Sequence, residues 1–164
     1  ENQRLQEVNG KTLGIVGMGE IGCELAHSTS NVGMDIVYYN RTRLWPELET
    51  RFSAEYRTLD DLLPVADFVA LAVPQTPETE GLIGAAQLSA MKPTAYLVNV
   101  CRGGVVDEQA LIKALDIPTK LSQLGVRRED IPNLARDAAD DLCMMTNPQK
   151  YDAHEIEAIY LDAL

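Results

Sequence analysis

Six residues, Gly17-Met18-Gly19-Glu20-Ile21-Gly22, restrict the fold of this chain more than any other stretch. They follow Thr12-Leu13-Gly14-Ile15-Val16, a short apolar run bounded by glycines that reads as a buried strand. They open a segment in which Ile21, Leu25, Ala26 and Val32 recur at helical spacing. Gly33 stops that helix ahead of Asp35-Ile36-Val37-Tyr38-Tyr39, a second strand, so the stretch is β-α-β. In a strand-to-helix turn each glycine of G-x-G-x-x-G has a physical task. The first permits the tight turn, the second lets a pyrophosphate approach the backbone, and the third lets helix and strand pack closely. The free N–H groups and the dipole of the helix N-terminus favour an anion there. Gly17, Met18, Gly19, Glu20, Ile21 and Gly22 are therefore the candidate phosphate cradle, although the Glu20 carboxylate opposes the phosphates and lowers the affinity expected.

The rest of the first 115 residues repeats the alternation of strand and helix. Arg57 to Leu63 reads as a strand end running into one helical turn, with Thr58 as its N-cap and Asp61 three residues on. Phe68-Val69-Ala70-Leu71-Ala72-Val73 is continuous and apolar, the pattern of a strand covered on both faces, and Pro74 and Pro77 end it. Leu82-Ile83 and Leu88-Met91 suggest short helical pieces, Ala95 to Val100 another buried strand, and Asp107 to Leu115 a helix. The fold class expected is α/β, a doubly wound parallel sheet with right-handed crossovers. From Asp116 the apolar runs stop. The last 49 residues hold 10 acidic and 5 basic side chains, and Pro118, Pro132 and Pro148 divide them into helix-sized pieces, the clearest being 130–141 and 152–164. In the last piece Ile156, Ile159, Tyr160 and Ala163 form one apolar face.

Charge and cysteine content narrow the partners. With 164 residues, 46% of them hydrophobic and 24% charged, the chain is an ordinary globular one rather than a disordered one. A net charge of −11 repels polyanions, so neither nucleic acid nor an anionic membrane is expected as the main partner. No apolar run is long enough to span a bilayer, and the polar start, Glu1-Asn2-Gln3-Arg4, lacks the apolar stretch of a secretory signal. Cys23, Cys101 and Cys143 are odd in number and lack C-x-x-C spacing, which fits a reducing cytoplasm. His27 and His154 are far apart and make a poor metal site.

At the end of the second strand, where an acid would hold the ribose 2′-OH of NAD, stand Asn40-Arg41-Thr42-Arg43. Two guanidiniums and a hydroxyl suit a 2′-phosphate, and the missing acid removes a repulsion, so NADP is the cofactor expected, with NAD as the alternative. The competing reading of Arg41 and Arg43 is a solvated pair in a loop.

Three segments together resemble the D-isomer-specific 2-hydroxyacid dehydrogenases: the glycine motif, then Val73-Pro74-Gln75-Thr76-Pro77-Glu78-Thr79-Glu80-Gly81-Leu82-Ile83, then Val98-Asn99-Val100-Cys101-Arg102-Gly103-Gly104-Val105-Val106-Asp107-Glu108-Gln109-Ala110-Leu111. The resemblance covers residues 9–115 and implies a Rossmann-like NAD(P)-binding domain over 1–115. It further implies that Val73, Pro74, Thr79, Val100, Cys101 and Arg102 line the cofactor, and that Arg102 is the catalytic arginine, holding the carboxylate of a small 2-oxoacid for hydride transfer. The family's acid/base His and the Glu that tunes it have no counterpart in this chain. His27 falls in the first helix and His154 in the last, and both read as structural.

Residues 117–164 resemble the C-terminal helices of the iron-dependent alcohol dehydrogenases, on Ile117-Pro118-Thr119-Lys120-Leu121-Ser122-Gln123-Leu124-Gly125-Val126, Glu129 to Pro132, Leu134-Ala135, Asp141, Cys143 and Thr146-Asn147-Pro148. That family's metal ligands lie upstream of the matching stretch, so no iron is expected. The chain thus reads as a chimera or fusion joined near Leu115, with a sheet truncated after its fifth strand and a helical tail over 116–164. Such an end leaves an edge that the tail helices must cover, failing which a homo-oligomer is expected. The function expected is an NAD(P)-binding oxidoreductase domain of the 2-hydroxyacid dehydrogenase type, incomplete as an isolated chain. The alternatives are a non-catalytic dinucleotide-binding module and, with less support, an alcohol or aldehyde reductase.

Overall fold

A computed structural model describes residues 7–141 and 148–164. The chain divides into two compact units, Glu1–Ala114 and Leu115–Leu164. The first is built on five parallel strands, β1 (Thr12–Val16), β2 (Asp35–Tyr39), β3 (Ala54–Tyr56), β4 (Phe68–Leu71) and β5 (Tyr96–Asn99), in the order β3-β2-β1-β4-β5. In register, Val16 of β1 lies between Tyr39 of β2 and Leu71 of β4, so all three strands end together. The strand order reverses at β1, where the connections run outward to β2 on one side and to β4 on the other. In an open α/β sheet that is where a crevice forms beyond the strands' carboxyl ends.

Alternation along the strands sends side chains to two cores. Leu13, Ile15, Ile36 and Tyr38 point to one face, where they bury Ala26 of α1 (Glu20–Ser30) and Phe52 of α2 (Pro46–Phe52). Val16, Val37, Val69 and Leu71 point to the other and bury Leu62 of α3 (Leu59–Leu62) with Leu63 and Ala66. Leu88 of α4 (Ala85–Ala90) and Leu111 of α5 (Glu108–Ala114) are packed against that second core. Covering both faces makes this the three-layer, Rossmann-like arrangement expected for near-continuous apolar strands.

Local chemistry explains the element ends. Thr58 caps α3 by accepting a hydrogen bond from the Asp61 N–H at 3.2 Å. Pro46 opens α2, and Ser53 in the left-handed region, φ 50°, closes it.

Two expectations require correction, and one helix is unforeseen. Leu82 and Ile83 are not helical; Ile83 forms an isolated parallel bridge with Val106, and its N–H donates to Val105 O at 3.1 Å. The strand over 95–100 is not buried. Tyr96, Val98 and Val100 are 50%, 45% and 51% exposed, because β5 is the last strand in the order and has a ladder partner on one side only. Finally, α2 has no counterpart among the elements expected from sequence.

The second unit contains α6 (Ile131–Ala139) and α7 (Ala153–Asp162), preceded by two short 3-10 turns, Leu121–Leu124 and Arg128–Asp130. The helices pack on one another and Ile131, Ala135 and Ile156 are buried. Of the apolar face expected on the last helix, Ile156 is buried while Ile159 is half exposed. Asp152 and Glu155 form a reciprocal cap at the start of α7, with bonds of 2.8 and 2.9 Å. The start of the unit is tied to its end by Leu121 N–H donating to Ala163 O and by the Ser122 hydroxyl donating to Leu164 O. Cys143, Thr146 and Asn147 lie outside the described residues. Among the described residues no helix is long and apolar enough to cross a membrane.

Candidate functional site

A trough runs across the carboxyl ends of the strands, made of two clefts that share Val73, Pro74 and Thr76. The larger, about 800 Å³, lies beyond β4 and β5 and is lined by Ile21, Gln75, Glu80, Val100, Cys101 and Arg102 among others. The smaller, about 290 Å³, lies beyond β2, between Tyr39 to Thr42 on one side and Glu78, Thr79 and Leu82 on the other.

The glycine turn sits beside the trough. Gly17 has φ +104°, its N–H donates to Tyr39 O at 2.9 Å, and a Cβ there would come within 2.6 Å of the Ala72 carbonyl oxygen. A Cβ on Gly22 would collide with the Gly17 carbonyl, so the third glycine sets how closely α1 approaches the turn. Gly19, the N-cap residue of α1, is exposed and has nothing within 4 Å of its Cβ position. That open backbone at a helix N-terminus is a cradle that fits a pyrophosphate. Glu20 and Ile21 are exposed in the first turn; Ile21 lines the larger cleft. Met18 buries its side chain in the core with Leu13, Ile15 and Ala26, which leaves its backbone to the turn.

The loop after β2 separates the two arginines. Arg41 and Thr42 line the smaller cleft, with Asn40 donating its side-chain amide to Thr42 O at 2.9 Å. Arg41 makes no salt bridge among the described residues. Arg43 is not a cleft residue. Its guanidinium is bound twice to the Glu49 carboxylate of α2, at 2.8 and 2.9 Å, and the buried Tyr38 hydroxyl donates to the same carboxylate at 2.6 Å. Arg43 and then Tyr38 hold the Glu49 carboxyl at a pKa of about 2, while burial and that hydrogen bond push Tyr38 up to about 12. Of the two arginines expected beside a 2′-phosphate, Arg41 lines the smaller cleft and Arg43 is paired with a carboxylate.

At the other end Arg102 follows β5 on an extended backbone and is exposed to the larger cleft. Its guanidinium makes one hydrogen bond, to Cys101 O at 3.3 Å, and has no acidic partner among the described residues. Asn99, absent from the sequence-based set, shapes this turn: its side chain accepts from Cys101 N–H at 2.9 Å and donates to Arg102 O at 3.0 Å. Cys101 donates its thiol to Leu71 O at 2.9 Å, which fastens the turn to β4. Thr79 plays a similar part for the loop after β4, donating to Pro74 O at 2.6 Å and accepting from Thr76 N–H at 2.8 Å. Gln75 and Glu78 also line the clefts; both stand in the family-like segment after β4, where the sequence assigns neither a role. Gln75 lies against Gly104, whose Cβ position is 2.5 Å from the Gln75 side-chain nitrogen.

Neither histidine lines either cleft: His27 is exposed in the last turn of α1, and His154 is exposed in the first turn of α7. Among the described residues no group of three His, Cys, Asp or Glu side chains could hold a metal ion.

Comparison with known proteins agrees with this geometry. The family model for the D-isomer specific 2-hydroxyacid dehydrogenase, NAD binding domain, matches residues 1–125, and that for the Fe-containing alcohol dehydrogenase family, C-terminal, matches 104–164. Glyoxylate reductase of Thermococcus gammatolerans is 54% identical over 109 residues, 66% of this chain and 32% of the relative. Glyoxylate/hydroxypyruvate reductase B of Citrobacter koseri is 53% identical over 110 residues, again 66% of this chain and 34% of the relative. The match thus spans about a third of these relatives' length. Among solved structures, the D-isomer specific 2-hydroxyacid dehydrogenase of Lactobacillus delbrueckii ssp. bulgaricus in its NAD complexed form is 41% identical with a TM-score of 0.64, over 68% of this chain and 33% of that one. The apo D-mandelate dehydrogenase of Rhodotorula graminis is 37% identical with a TM-score of 0.65, at the same coverage. With the parallel sheet, the glycine turn and the trough at the strand ends all in place, the chain belongs to the D-isomer specific 2-hydroxyacid dehydrogenase family through its NAD-binding domain.

Proposed function

We propose that the trough binds a nicotinamide dinucleotide, with NADP preferred, and that Arg102 receives the carboxylate of a small 2-oxoacid beside it. The observation that carries this reading is the Arg102 guanidinium, set beyond a strand end in the larger cleft with no carboxylate within ion-pair distance among the described residues. The backbone of Gly17 to Gly22 would hold the pyrophosphate. Arg41 and Thr42 would hold a 2′-phosphate, and the larger cleft would take the nicotinamide end. A bound reduced cofactor would supply the hydride for the carbonyl carbon. The chain's own residues would fix the two partners relative to one another and, through Arg102, orient the substrate's carboxylate. Because relatives are glyoxylate reductases, glyoxylate is the first substrate to try. The free thiols of Cys23 and Cys101 support a reducing compartment, the cytoplasm. Self-association is supported by the exposed residues of β5 and is read by sedimentation.

A second reading, a module that binds dinucleotide without turning over, is favoured by one observation: no histidine lines either cleft to protonate the carbonyl oxygen. Calorimetric titration with NADPH and NADH, followed by glyoxylate while nicotinamide absorbance is monitored, separates the two. Binding with oxidation of the nucleotide supports the first reading, and binding without oxidation the second. If neither nucleotide binds at millimolar concentration, both are withdrawn.

A further inference from the structure

The smaller cleft holds two opposite charges on facing loops. Arg41 comes from the loop after β2 and Glu78 from the loop after β4, and with Arg43 bound to Glu49, Arg41 is the cation lining it. Glu78 is the acidic residue lining the cleft. The Thr76 hydroxyl, then its own backbone N–H, and also the positive charge of Arg41 hold its carboxyl below the usual carboxylate range. Its carboxylate is exposed in the cleft that Arg41 also lines.

We propose that Glu78 is a specificity-determining residue, whose carboxylate opposes a 2′-phosphate on Arg41 and so limits the preference for NADP over NAD that Arg41 creates. This rests on the reading of the smaller cleft as the ribose end of the dinucleotide site. A phosphate monoester carries between one and two negative charges at neutral pH, so Glu78 repels it and competes with it for the guanidinium. A 2′-hydroxyl is neutral and can donate a hydrogen bond to the same carboxylate. Removing the charge at residue 78 therefore acts with opposite sign on the two nucleotides, which a merely structural residue would not do.

The test is calorimetric titration of the full chain, of Glu78→Gln and of Glu78→Lys with NADPH and with NADH, at low and at high salt. Thermal midpoints establish that each variant is folded. Glu78→Gln should raise the ratio of NADPH to NADH affinity by roughly fivefold, Glu78→Lys by more, and the gain should shrink at high salt. Should the folded variants bind both nucleotides with the ratio unmoved, Glu78 has no part in the choice, while the cleft remains a dinucleotide site. If the unaltered chain binds neither nucleotide, the reading of the cleft itself fails and takes this assignment with it.

Discussion

The two edges of the sheet are finished in different ways. At the β3 edge the strand is three residues long and α2 packs beside it. There Arg43, Glu49 and Tyr38 tie the loop after β2 to that helix, Arg43 lies 5.6 Å from the Tyr56 ring centre, and Tyr56 meets Tyr38 edge-on at 5.5 Å. At the β5 edge Tyr96, Val98 and Val100 are about half exposed, and the aromatic support is Tyr96 stacked on Phe68 at 5.1 Å. A short edge carrying charge and a flanking helix resists pairing with another strand, whereas an apolar one invites it. The contrast also bears on the site. Closing the β3 edge uses the guanidinium of Arg43, which leaves Arg41 as the arginine that lines the smaller cleft.

Substitutions can break that comparison. Tyr38→Ala removes a fully buried ring from the closed edge and should cost about 3–5 kcal/mol in denaturant unfolding, while Val98→Ala on the open edge should cost well under about 1 kcal/mol. Equal losses would mean that the two edges are equally packed. Tyr38→Phe keeps the ring but leaves the Leu44 N–H without its acceptor and removes one of the donors to Glu49, which keeps its two bonds from Arg43, a loss of about 1–3 kcal/mol. A neutral result would show that packing alone holds that edge. Acid sharpens the contrast further. Glu49 titrates near 2 in the folded chain against an ordinary 4.5, so its contribution is fully present above about pH 4.5 and is lost as pH falls from there toward 2. Glu49→Gln should flatten the thermal midpoint across that window, and an unchanged slope would assign the acid sensitivity to other carboxylates such as Asp67, which Thr12 N–H and Lys92 also hold low. Smallest of all, Val98→Lys should leave stability within about 0.5 kcal/mol and weaken any self-association seen by sedimentation.

What can be read from the sequence follows from where burial is decided. The strands β1, β2 and β4 are buried on both faces and read as apolar runs, and the glycine turn is legible because Gly17 and Gly22 answer to backbone collisions that any side chain would cause. The run over 95–100 is equally apolar, yet composition does not say whether a strand has a neighbour on one side or two. The partner of Arg43 is hidden from the sequence for a traceable reason. Glu49 lies six residues on, in a helix whose signals are modest: Pro46 in the first turn, Leu48 and Phe52 on one face, Ser53 at its end. Without α2, Arg43 has no visible carboxylate and looks free for a phosphate. Gln75, Glu78 and Asn99 escape sequence reasoning because their roles come from loops that meet only in three dimensions.

The bridge between Ile83 and Val106 has a consequence for how the trough behaves. Gly81 N–H donates to Gly104 O, Ile83 N–H to Val105 O and Asp107 N–H to Ile83 O, so the segment after Thr79 and the segment after Arg102 are laced together, with Ile83 and Val105 fully buried between them. These bonds tie the two walls to one another. The ordering entropy that a ligand would have to supply on arrival is already spent in folding, and the amides of Ile83, Val105 and Asp107 should exchange with solvent as slowly as those of the central strands.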